Sequence, residues 1–154
     1  MLVIEGSVSQ ASTAQVGHLA RQANVEVITI PQPPKSGAPP EPPQAREARR
    51  AATAGRHVVL QTEPPERRPG LIPRPDYSPE PLSTVARLAL RAPALFSGLV
   101  ISGGDTACEV LCALRAQAIC LEDALEPGVP AGRLVGGRRE GLPIVLKAGA
   151  AGSE

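Results

Sequence analysis

The sequence predicts an α/β fold in which a mainly parallel sheet is flanked by helices. Short aliphatic, β-branched runs (Leu2-Val3-Ile4, Val25 to Ile30, His57 to Gln61 and Leu99-Val100-Ile101) alternate with stretches of helical period. Two of these runs open into small, polar or glycine-rich loops that lead straight into a helix: Gly6-Ser7-Val8-Ser9 after the first, and Ser102-Gly103-Gly104-Asp105 after the last. A length of 154 residues suits one domain with an ordinary core.

In chain order, Leu2-Val3-Ile4 reads as a short buried strand. Ser12-Thr13-Ala14-Gln15 has the spacing of a capping box, with Val16, Leu19, Ala20 and Ala23 as the stripe behind it. Val25 to Ile30 is the second strand and stops at Pro31. Residues 31–43 are dense in proline and read as an extended surface linker. Ala45 to Ala54 is rich in Ala and Arg and predicts a helix with Arg46, Arg49 and Arg50 on its solvated face. His57 to Gln61 is the third strand, and a second proline-rich segment runs from Glu63 to Pro81. The spacing of Leu82, Val85, Leu88, Ala89 and Ala92 predicts an amphipathic helix leading to the strand at 99–101.

The stretch from Leu99 to Thr106 carries the strongest functional signal. A buried strand, two glycines without obstructing side chains and a helix N-terminus with exposed N–H groups read either as an anion site for a nucleotide phosphate or as a plain strand-to-helix turn that needs glycine for its geometry alone. Thr106 and Glu109 have capping-box spacing, which places the helix start near residue 106, and Ala107, Val110, Leu111 and Leu114 give its apolar stripe. In an open parallel sheet this loop and the one at Gly6 to Ser9 meet at the carboxyl edge of the strands, where Ser7 and Ser9 either hydrogen-bond a ligand or satisfy local backbone. Farther on, Ala118 to Leu121 reads as a short strand, Pro127-Gly128-Val129-Pro130 as a rigid turn, and Leu134-Val135 and Pro143 to Leu146 as late strands around a Gly136 to Arg139 loop. Lys147 at the close of the last strand reads either as a phosphate contact or as part of a flexible basic tail. These elements describe a Rossmann-like layered architecture with proline-rich surface loops.

Composition narrows the function classes. Sixteen basic against fifteen acidic residues give a net charge of +1, which carries no footprint for nucleic acid or for an anionic membrane. One Phe, one Tyr and no Trp leave no base-stacking platform. No signal peptide or apolar run of transmembrane length occurs, so a cytoplasmic protein is expected. Cys108, Cys112 and Cys120 have no ligand-like neighbours and read as small, buried or half-buried apolar side chains, while His18 and His57 read as structural or exposed.

Gly6-Ser7-Val8-Ser9 with the helical Thr13-Ala14-Gln15, the Gly103-Gly104-Asp105-Thr106 loop, the Pro127 to Pro130 turn and Lys147-Ala148-Gly149 resemble, in that order, the C-terminal nucleotide-binding domain of the four-carbon acid sugar kinases. Those enzymes phosphorylate threonate, erythronate and 3-oxo-tetronates with ATP. The resemblance implies a single nucleotide-binding domain over residues 1–154, without the family's N-terminal acid-sugar-binding domain, which would be missing or on a separate chain. It implies ATP contacts from Ser7, Gly103, Gly104, Asp105, Thr106 and Gly149. Thr106 then either caps its helix or donates to a phosphate, and Asp105 holds Mg2+ through water. Ala150 and Ala151 depart from the family's usual glycine and phenylalanine. Self-association as a homo-oligomer is expected of a domain that normally packs on another. The alternative is a stand-alone, non-catalytic α/β module that does not bind nucleotide.

Overall fold

A computed structural model describes residues 1–7, 9–31, 41–63, 80–92, 95–149 and 151. Seven strands, β1 (Leu2–Glu5), β2 (Val25–Ile30), β3 (His57–Thr62), β4 (Leu99–Ser102), β5 (Ala118–Glu126), β6 (Val129–Val135) and β7 (Pro143–Lys147), form one sheet in the order β2-β3-β1-β4-β7-β6-β5. The first five in that order are parallel; β6 and β5 add antiparallel at one side. Four helices accompany it, α1 (Gln10–Leu19), α2 (Pro43–Thr53), α3 (Glu80–Ala89) and α4 (Gly104–Leu114). The α/β layering expected from alternating strand and helix patterns is thus the observed one.

Strand alternation sorts the core. Leu2, Ile4, Ile28, Ile30, Val58, Leu60, Leu99, Ile101 and Ile144 point to one face and are buried with Ala45, Ala48, Leu82, Val85, Leu88, Val110 and Leu114 of α2, α3 and α4. A smaller cluster of Val16, Val25 and Val59, with Val3, Leu19 and Val27 packed against it, places α1 on the opposite face. Small alanines let α2 lie close to the sheet. On α2, Arg46 and Arg50 are exposed, whereas Arg49 departs from the predicted solvated face by donating to the Leu88 carbonyl of α3 (3.1 Å) and pairing with Glu41.

Several element boundaries differ from expectation. The Pro127 turn is shorter than predicted, since Val129 and Pro130 already pair in β6; β5 is a nine-residue strand rather than a short one. A single 3-10 turn at Gly137–Arg139 replaces a plain loop, and Arg139 fastens it by donating to the carbonyls of Leu90 (3.0 Å) and Phe96 (3.2 Å). All three cysteines are exposed, correcting the buried reading. The apolar stripe of α4 uses its inward positions for Val110 and Leu114, which turns Cys108 and Cys112 to solvent, and Cys120 sits on the exposed strand β5. The prolines at 33, 34, 39 and 40 and those from 64 to 79 lie outside the described residues.

Candidate functional site

The site is built where β1, β4 and β7 end side by side. β1 feeds its chain to α1 on one face of the sheet, while its neighbour β4 feeds α4 on the other, so a crevice opens between the two loops. Backbone hydrogen bonds lace the three strand ends together: Gly6 N–H to the Ser102 carbonyl (3.1 Å) and Gly103 N–H to the Lys147 carbonyl (3.0 Å).

The structure brings all six predicted residues to this edge. Gly103 has φ +102°, a conformation that needs glycine, and a Cβ there would lie 3.5 Å from Ser7 N and 3.4 Å from Thr106 Oγ1. Gly149 packs so closely on the first loop that a Cβ would overlap Ser7 Oγ. Gly104 and Asp105 are exposed at the mouth, Ser7 and Gly149 are half-buried, and Thr106 is buried in the first turn of α4.

Two predicted helix starts are corrected here. The cap of α4 is Gly103, not Thr106, and no side chain caps it. The positive φ of Gly103 turns the chain into the helix at once, so the capping pair of Thr106 and Glu109 does not form. Its first helical bond is Ala107 N–H to the Gly103 carbonyl (2.9 Å), which leaves the N–H groups of Gly104 and Asp105 ahead of the ladder. The cap of α1 is Ser9, whose hydroxyl accepts from Ser12 N–H (3.1 Å), three residues before the predicted box. Ser9 Oγ also donates to the Gly149 carbonyl (2.7 Å), tying the start of α1 to the loop after β7.

Three polar groups, Ser12, Glu5 and Ser102, were not singled out as site residues from the sequence, whereas Lys147 was read either as a phosphate contact or as a basic tail. Ser12 Oγ donates to the same Gly149 carbonyl (2.7 Å). Lys147 is neither a loose tail nor turned outward: its Nζ donates to the carbonyls of Ala148 (3.2 Å), Gly149 (3.3 Å) and Ala151 (3.1 Å) and reaches Ser12 Oγ at 3.5 Å. Glu5 is 6% exposed, and its Oε1 accepts the Ser7 N–H at 2.7 Å. Burial pushes the Glu5 carboxyl above its usual range, against the opposing pull of the Ser7 N–H, the Ser102 hydroxyl, the Lys147 charge and the Ser12 hydroxyl. Ser102 Oγ lies beside that carboxylate but in poor hydrogen-bond geometry, and it has no other partner among the described residues. The signal for Glu5 was present in the sequence: a carboxylate ends an otherwise aliphatic strand.

An open helix N-terminus at the point where neighbouring strands send their loops to opposite faces defines a doubly wound α/β domain. The chain belongs to the nucleotide-binding C-terminal domain family, whose model matches residues 2–154. It is 27% identical to a D-threonate kinase of Salmonella typhimurium over 168 aligned positions, covering all of this chain and 40% of that enzyme. A D-threonate kinase of Bordetella bronchiseptica matches at 49% over 69 residues, which is 45% of this chain and 16% of the enzyme. The chain thus spans well under half the length of these relatives. Among solved structures, a citrate-bound, domain-swapped dimer from Bordetella bronchiseptica superposes with a TM-score of 0.71 at 29% identity, covering 99% of this chain and 38% of the other. A Haemophilus influenzae protein superposes with a TM-score of 0.70 at 18% identity, covering 99% and 37%, and shares the fold.

Proposed function

We propose that the crevice between the β1 and β4 loops holds the phosphates of ATP, and that the chain is the nucleotide half of a kinase acting on a four-carbon sugar acid such as threonate. The observation that carries this reading is the uncapped N-terminus of α4. The N–H groups of Gly104 and Asp105 lead the helix there, no side chain occupies the cap, and open space surrounds Gly104. The Gly103 loop, Ser7 and Gly149 form the remaining walls. The names of the two threonate kinases support the choice of ATP and of the acid class.

Among the described residues no three His, Cys, Asp or Glu side chains gather as metal ligands. Mg2+ would therefore come with the nucleotide, carried by its phosphates, with exposed Asp105 at the mouth to hold a coordinated water. Mg2+ supplies charge neutralisation on the transferred phosphoryl group; the chain supplies orientation through backbone N–H groups. Transfer also needs an acceptor held in line, which we assign to a sugar-acid-binding partner domain. We also expect self-association, as in the domain-swapped Bordetella dimer, and a cytoplasmic setting. No described helix is long and apolar enough to cross a membrane.

The test is calorimetric titration with MgATP and MgADP on the wild-type chain and on Gly104→Val. A valine at 104 meets open space and an ordinary φ, so the variant should fold. Wild-type saturation, with affinity at least about tenfold weaker in Gly104→Val, is the expected result. Equal affinity in the folded variant would falsify the loop's role. No binding by the wild-type chain would favour the non-catalytic module.

A further inference from the structure

Glu5 is the least economical residue in the crevice. A carboxylate at the end of a buried strand is costly, and here burial outweighs every compensating contact. Packing does not require it: register neighbours Gln61 on β3 and Ser102 on β4 flank it, and an uncharged side chain would fill the same space. The groups facing it are the Ser7 N–H, the hydroxyls of Ser12 on α1 and Ser102 on β4, and the Lys147 ammonium on β7. The loops after β1 and β7 are both fastened to this set. Glu5 ties down the Ser7 amide, Lys147 gathers the carbonyls of Ala148, Gly149 and Ala151, and Ser12 links Lys147 and Gly149 to α1.

We propose that Glu5 is a positioning residue for nucleotide binding: its carboxylate, in the field of Lys147, fixes the Ser7 amide and so sets the shape of the first loop against which Gly149 closes. The proposal rests on the reading of the crevice as the phosphate site. It assigns Glu5 no contact with the nucleotide. With the amide held downward, the Ser7 side chain rather than its N–H is what this loop presents next to Gly149.

The experiment compares wild-type chain, Glu5→Leu, Glu5→Ala and Glu5→Gln for thermal stability and for MgATP affinity at pH 8. Glutamine retains an acceptor for the Ser7 N–H; leucine and alanine do not. The expected result is that Glu5→Leu and Glu5→Ala keep or exceed the wild-type melting temperature yet bind MgATP at least about tenfold more weakly, while Glu5→Gln stays within about threefold. A merely structural residue would instead lower melting temperature and affinity together. Should leucine prevent folding, alanine decides in the same way, since its methyl crowds none of the small neighbours. Wild-type affinity in a folded leucine or alanine variant overturns the role of Glu5 and leaves the nucleotide reading standing. Absence of binding by the wild-type chain itself overturns that reading and this proposal with it.

Discussion

Three glycines in the loops after β4 and β7 impose three different demands. Gly103 adopts a backbone conformation closed to other residues, so Gly103→Ala should destabilise the chain by about 1–3 kcal/mol in chemical denaturation, even though its Cβ would find ordinary contacts. Gly149 is there for close approach. Gly149→Ala must push Ser7 away, and the loss should appear in nucleotide affinity more than in stability. Gly104 is neither strained nor crowded, which makes it the clean steric probe. Glu5 adds a pH dependence whose sign is fixed. Its folded-state carboxyl titrates above the unfolded one, so the folded chain retains a proton that the unfolded chain releases. Stability from this group is full below the ordinary glutamate range and declines as pH rises from there through the raised value. Glu5→Gln lacks that decline, so its melting curves and those of the wild-type chain should converge in acid and separate in favour of the variant as pH rises.

Helix ends are where single residues decide an element. Ser9 both caps α1 and ties it to Gly149, and Ser9→Ala should cost about 1–2 kcal/mol in denaturant unfolding. At the far end of α4, Arg115 closes the helix in the left-handed region at φ 58°, so Arg115→Gly should stabilise the chain by about 1 kcal/mol in the same measurement. The sequence was legible wherever a periodic apolar pattern met a buried surface: the span of β2 and the inward residues of α3 and α4 were readable because alternation and 3.6-residue spacing report burial directly. It was less legible at the caps. Ser12 and Thr106 have good capping spacing, yet Ser9 and Gly103 hold those places, because a serine three residues earlier and a glycine at positive φ satisfy the turn first. β5 was underestimated for a related reason. Its nine residues carry no burial pattern, being exposed almost throughout, so only pairing with β6 makes them a strand. Of the crevice, the glycine loops could be read from the residues, whereas the use of Lys147 depends on a turn that brings Ala151 back over its ammonium group.

Among the described residues of the whole molecule, the outer side of the sheet is the most exposed apolar feature. β5 is an edge strand with Leu121 at 65% and Leu125 at 60% exposure, and a long edge with apolar side chains templates pairing with another chain. The double substitution Leu121→Lys and Leu125→Lys should leave melting unchanged within about 0.5 kcal/mol while reducing concentration-dependent association in light scattering. Association that persists undiminished would place the contact elsewhere.

The position of β7 bears on how the chain is made. It follows every other strand in sequence but lies inside the sheet, between β4 and β6, and it supplies Lys147 and Gly149 to the crevice. During synthesis, β4 must therefore wait with one side unpaired, its glycine loop facing a gap, until β7 arrives from the ribosome. Such late, long-range closure is slow and leaves an adhesive edge open meanwhile. On the proposed reading of the crevice, the nucleotide site is then among the last features of this sheet to form, and a nucleotide would recognise only sheets in which β7 has docked.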